Sequence, residues 1–112
     1  MIFYRLLFIF LCNVLVFSQD LEDLSFGDDS SLDIATWNIE WFPKNGQTTA
    51  EYVRQILNQL DLDVLAMQEL DDKTVFDQMV SELTNYTGYY ESAWFAGLAY
   101  IYKSYVVEIN SI

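Results

Sequence analysis

Apolar positions along this chain fall into blocks of two periods. Ile34 to Ile39 is a short, mostly apolar run that predicts a buried strand, and Val64 to Met67 is a second. Between them Pro43, Asn45 and Gly46 mark a loop, and Tyr52, Val53, Ile56, Leu57 and Leu60 recur at helical spacing. Thr48 and Glu51 have the spacing of a capping box, which predicts a helix starting at Thr48. Asp61 to Asp63 is the turn into the second strand. After Glu69 a second helical stripe follows, Val75, Phe76, Met79, Val80 and Leu83. Asp71 or Asp72 is available to cap it, and Gly88 suits a stop near Asn85 to Gly88. Beyond it, strands are expected over Tyr89 to Phe95 and Leu98 to Lys103, broken at Gly97. A third is expected over Tyr105 to Ile109, pairing with Leu98 to Lys103 as an antiparallel hairpin around Ser104.

Strand, helix, strand over Asp33 to Glu69 is a βαβ unit, so its two strands should be parallel with a right-handed crossover. Polar residues stand where each strand runs out: Asn38 and Glu40 on the first, Gln68 and Glu69 on the second. Ligands of open α/β sheets bind outside the carboxyl ends of strands. Asn38 and Glu69, far apart in sequence, should therefore meet. Trp37, Trp94, Phe95 and neighbouring tyrosines are expected to leave an exposed apolar patch.

The chain ends of the pattern are different in kind. Leu6 to Phe17 is apolar apart from Asn13 and follows Arg5, and small residues at Val16 and Ser18 fit a cut before Gln19. Residues 1–18 thus read as a signal peptide and the product as secreted or periplasmic, with no stable membrane association after cleavage. The run is short for a membrane span of roughly 20 residues, although an uncleaved anchor remains the other reading. Residues 19–32 form an acidic, serine-rich lead-in. Its Asp28-Asp29 pair lacks the spaced ligands of a calcium loop. Cys12 is the only cysteine, so the mature part has no disulfide framework.

Charge narrows the function classes. Five Lys and Arg against 17 Asp and Glu give a formal charge of −12, which repels phosphodiesters unless cations intervene. A basic nucleic-acid-binding module does not look like this. There is no histidine, so no Ser-His-Asp or Cys-His site exists in these residues. Lys44 near Gly46 lacks the Walker order.

Glu69 is the sharpest chemical candidate. A carboxylate at a strand end is a hard oxygen ligand for Mg²⁺ or Mn²⁺, and equally a cap for the helix that follows. Asn38 has the reach to bond a phosphate oxygen, a metal-linked water or Glu69 itself, or simply to close a turn. Glu40 should project on the side of Asn38 if the strand continues, as a second acid or a solvated residue. Trp37, Trp41 and Phe42 fit substrate stacking or core packing. Asn85-Tyr86-Thr87 has the form of a glycosylation sequon and is read as chance.

Three strings carry a family resemblance. Ala35-Thr36-Trp37-Asn38-Ile39 and Val64-Leu65-Ala66-Met67-Gln68-Glu69, followed by Gly97-Leu98-Ala99-Tyr100-Ile101-Tyr102-Lys103, resemble the endonuclease/exonuclease/phosphatase superfamily of deoxyribonuclease-I-like enzymes. The resemblance implies an α/β fold, the incomplete first half of a four-layered α/β sandwich spanning residues 33–112. It implies Glu69 as ligand of a catalytic Mg²⁺ (or Mn²⁺), with Asn38 in the same metal–phosphate site. The implied activity is hydrolysis of phosphodiester bonds by metal-activated water, on a phosphate-ester substrate such as nucleic acid reached through the metal. The family's later Asp-x-Asn segment, further Asp and terminal Asp-His pair have no counterpart here. The expectation is therefore an N-terminal part whose domain remainder is missing, inactive alone, with a coding sequence that continues past Ile112. The rival expectation is a non-catalytic exported binding module derived from the same fold.

Overall fold

The computed structural model describes residues 24–111, so the signal-peptide reading of residues 1–18 lies outside the described residues. Six elements follow one another: β1 (Ile34–Phe42), α1 (Gln47–Leu60), β2 (Val64–Leu70), α2 (Lys73–Ser81), β3 (Thr87–Glu91) and β4 (Gly97–Tyr102). They make one mixed sheet in the order β1-β2-β4-β3. β1 and β2 are parallel, as the βαβ pattern requires, and β2–β4 and β3–β4 are antiparallel.

Both helices lie on one face of this sheet. Ala50, Val53 and Leu57 of α1 and Phe76 and Met79 of α2 pack in one buried cluster with Leu65, Met67, Ala99 and Ile101 of the strands. The period-2 alternation of β4 separates the faces cleanly: Gly97, Ala99 and Ile101 are buried, Leu98 and Tyr100 exposed. Among the described residues no helix covers the opposite face, which also carries exposed Ile34. That is the arrangement of one half of an α/β sandwich. The segment after β4 returns toward this face and shares a cleft of about 290 Å³ between Val107 and Ile109 on one side and Val64, Tyr100 and Tyr102 on the other.

Several local expectations are corrected. Thr48 and Glu51 form no capping box. α1 starts one residue earlier, at Gln47, with Gly46 in the cap position. Glu51 is held instead by Arg54 (2.6 Å) and Gln55 (2.7 Å), one turn further along its own helix. Of the two candidate caps for α2, Asp72 does the work, accepting from the Val75 N–H at 3.0 Å. α2 stops at Ser81, well before Asn85, which takes a left-handed φ of 71° in the following turn. Gly88 is no helix stop. It lies within β3, where a Cβ would come within 2.9 Å of Val80, so its absence lets α2 close on the sheet. β3 begins earlier than expected, at Thr87, and ends at Glu91, while Gly97 opens β4 rather than breaking a strand. Tyr105 to Ile109 is not a strand: Lys103's carbonyl accepts from both Val106 and Val107 N–H, which turns the chain out of the sheet. Trp37 does not join the open face. It shares the register of Met67 and packs toward the helices.

The end of the sheet where β1 and β2 begin is tied by a buried polar knot. Lys103 is 6% exposed, and its ammonium donates to the Asp61 carbonyl (2.7 Å) and pairs with the Asp61 and Asp63 carboxylates (2.8 and 3.4 Å). Asp63 also accepts from the Asp33 N–H at 2.9 Å, and Tyr86 donates to the Leu62 carbonyl at 2.9 Å. Burial alone would lower the Lys103 ammonium, but the Asp61, Tyr86 and Asp63 oxygens outweigh it and hold it above its ordinary value. Burial pushes the Tyr86 phenol up to about 12.

Removing the cation would leave the buried Asp63 carboxylate without a counter-charge. Lys103→Met is therefore expected to lower the unfolding free energy by about 3 kcal/mol in urea titrations. Both Lys103 and Tyr86 bind their protons more tightly folded than unfolded. Their stabilisation is complete below about pH 10; it drains away for Tyr86 as pH climbs through about 12 and for Lys103 only beyond that. Urea midpoints taken at pH 8, 10 and 11.5 check this, and a midpoint that does not fall at the top of the series contradicts it.

Candidate active site

β1 and β2 run in register from Ile34↔Val64 to Asn38↔Gln68 and then both leave regular geometry. Pairing resumes only at Phe42↔Leu70, so β1 spends four residues where β2 spends two. Glu40 (φ 51°), Trp41 (φ 63°) and Glu69 (φ 62°) are all left-handed. Each such non-glycine residue costs about 1–2 kcal/mol. Within the strands themselves, all the left-handed residues lie at this end of the sheet.

The distortion decides where the side chains go. Met67 and Leu70 are both buried on the helix side. Unbroken alternation would send Glu69 into that same core. The bulge inserts Glu69 as an extra residue against β4, whose Leu98 and Gly97 are consecutive partners of Gln68 and Leu70. The carboxylate is thereby turned to the strand end, where Asn38 Nδ2 donates to Glu69 Oε1 at 2.8 Å. Asn38's other amide atom is committed too: Oδ1 accepts from the Glu40 N–H at 3.1 Å. With the carbonyl oxygen engaged by a backbone donor, the amide NH₂ must face the carboxylate.

Glu40 itself takes no part through its side chain. Its left-handed backbone breaks the alternation that would have set it beside Asn38, and its exposed carboxylate meets Lys44 at 3.3 Å. The aromatic candidates separate. Phe42 is fully buried and Trp37 half-buried against the core. Trp41 is exposed and lies edge-on to Phe95, with centroids 5.2 Å apart. Next to the Asn38–Glu69 pair is a contact that sequence reading missed. Gln68 Nε2 donates to Thr36 Oγ1 at 2.8 Å, tying the two strands one step before the bulge. Thr36 and Asn38 are two apart and so share a face, which was the available signal.

An amide–carboxylate pair thus sits on a strained bulge at the carboxyl ends of a parallel strand pair, the place where open α/β sheets bind ligands. A sequence model of the Endonuclease/Exonuclease/phosphatase family matches residues 35–110, which include both strand ends, and the chain belongs to that family. Neither curated proteins nor solved structures yield a match to it.

The left-handed φ of Glu69 has a measurable signature. In a regular strand glycine is about 0.5–1 kcal/mol less stable than alanine. Here Glu69→Gly is expected to exceed Glu69→Ala in stability by about 1 kcal/mol, read from urea midpoints. The ordinary order, alanine above glycine, would mean that the bulge is not held in solution.

Proposed function

We propose that the chain contributes the acid and amide of a metal-dependent, nuclease-like phosphoesterase that is exported through the signal peptide at residues 1–18. The observation that carries this reading is the 2.8 Å bond from Asn38 to Glu69 across two strands. It fixes one carboxylate oxygen and leaves Oε2 without a hydrogen bond among the described residues. Among those residues no group of three or more His, Cys, Asp or Glu side chains is arranged so that it could enclose a metal ion. A closed protein cage is thus not the fitting arrangement. One carboxylate beside an amide suits Mg²⁺ or Mn²⁺, which keep several waters and take few protein ligands. Glu69 would hold the ion, and Asn38 would orient Glu69 and offer its amide to a phosphate oxygen. A bound ion of this kind supplies Lewis-acid polarisation of a phosphoryl oxygen. The charge of −12 also favours an ion as the means by which phosphate approaches this chain.

In-line displacement also needs a group that orients the attacking water. The chain has no histidine, and Glu40, the further acid on β1, is turned to Lys44. The 112 residues alone are therefore proposed to bind the ion without turnover.

Titration of Mn²⁺ followed by water-proton relaxation tests this. Glu69→Gln is expected to weaken binding by more than about tenfold, and Asn38→Ala by less. Phosphodiester hydrolysis by the 112-residue chain should be absent with either ion. Unchanged Mn²⁺ affinity in Glu69→Gln would overturn the metal reading and favour a non-catalytic binding module. Export is separable: the N-terminus of the secreted product should be Gln19.

A further inference from the structure

Tyr90 belongs to β3, two strands away from Glu69, yet its phenol reaches the strained bulge. Its hydroxyl donates to the Leu70 carbonyl, one residue after Glu69, at 3.2 Å. To get there the ring passes over β4 at Gly97, the residue paired with Leu70. A Cβ at Gly97 would overlap the Tyr90 ring and hydroxyl. The glycine is thus needed for the crossing, not for a turn. Phe76 of α2 supports the other side of the ring, with centroids 5.8 Å apart.

We propose that Tyr90 is the positioning residue of the Glu69 carboxylate, with Gly97 as the gap through which it acts. The proposal rests on Glu69 being the acid of the site. A bulge in a left-handed conformation relaxes unless something holds its far side. Asn38 holds the side chain of Glu69 from β1, and Tyr90 holds the backbone just beyond it from β3. The two contacts approach the bulge from opposite edges of the sheet. Burial, with the Asp71 and Asp72 carboxylates, pushes the Tyr90 phenol above its ordinary value, so the hydroxyl stays a donor.

Tyr90→Phe deletes the hydroxyl and keeps the ring on Phe76. The local reporter is the Asp71 N–H, which donates to the Phe42 carbonyl at 2.8 Å just past the bulge. The distant reporter is the Lys103 N–H, which donates to the Asp63 carbonyl at 3.0 Å at the other end of the sheet. Hydrogen–deuterium exchange at low micromolar protein should quicken about fivefold at Asp71 and stay unchanged at Lys103, as expected for the loss of one hydrogen bond. Mn²⁺ affinity should fall by about the same factor. Gly97→Ala should reproduce both effects, and the double variant should be no worse than either single one. An unchanged Asp71 amide, or equal acceleration at both amides, overturns the proposal. A wild-type chain that binds no Mn²⁺ contradicts the metal reading of Glu69 instead, and the Asp71 amide still decides the role of Tyr90.

Discussion

Lys103, buried between the carboxylates of Asp61 and Asp63, ties three strands together at one end of the sheet. Its own N–H donates to the Asp63 carbonyl, and the Asp63 and Val64 N–H groups donate to the Asp33 carbonyl. β1, β2 and β4 are thereby locked at their common edge by one residue from each side of the crossover. Because side chains alternate with a period of two, a slip of one residue would turn every strand inside out. The lock therefore carries through to the far end, where Asn38 arrives opposite Gln68 and next to Glu69. A buried ion pair is a poor source of net stability but a good one of register.

The far end is built on the contrary principle. Three left-handed residues, an unpaired stretch of β1 and an exposed aromatic pair gather where the knot's influence ends. Strain of this kind persists only where surrounding contacts over-determine it. Those contacts are identifiable: Asn38 bonds the side chain of Glu69, Glu40's N–H bonds Asn38, and Asp71's N–H bonds Phe42's carbonyl across the gap. The regular half of the sheet supplies rigidity, and the irregular half spends part of it on aiming one carboxylate.

Much of this was legible in the residues. The apolar runs at Ile34 and Val64 with a helical stripe between them specify a parallel pair, and the polar strand ends specify where it presents chemistry. Boundaries failed where a non-local contact overrode a local signal. Thr48 and Glu51 have capping spacing, but Arg54 and Gln55 compete for Glu51 and win. Gly88 and Gly97 look like breaks, yet each is required for a neighbour to pass: Val80 in one case, Tyr90 in the other. Trp37 has two readings in the sequence, an apolar open face and core packing, and its register with Met67 selects the core beside the helices. The bulge could not be read from Gln68-Glu69 alone, since nothing in either residue type announces a positive φ.

The central claim is that Glu69 is the point at which a divalent cation joins this family's fold in this chain. Location of the ion tests it most directly. Crystals grown with Mn²⁺ and measured at its absorption edge should show an anomalous peak in coordinating reach of the Glu69 carboxylate, with the Asn38 amide still bonded to Oε1. The competing place is the acidic cleft near the knot, of about 320 Å³, lined by Asp28, Asp29, Asp33, Asp61 and Asp63. A peak there with none at Glu69 would contradict the account.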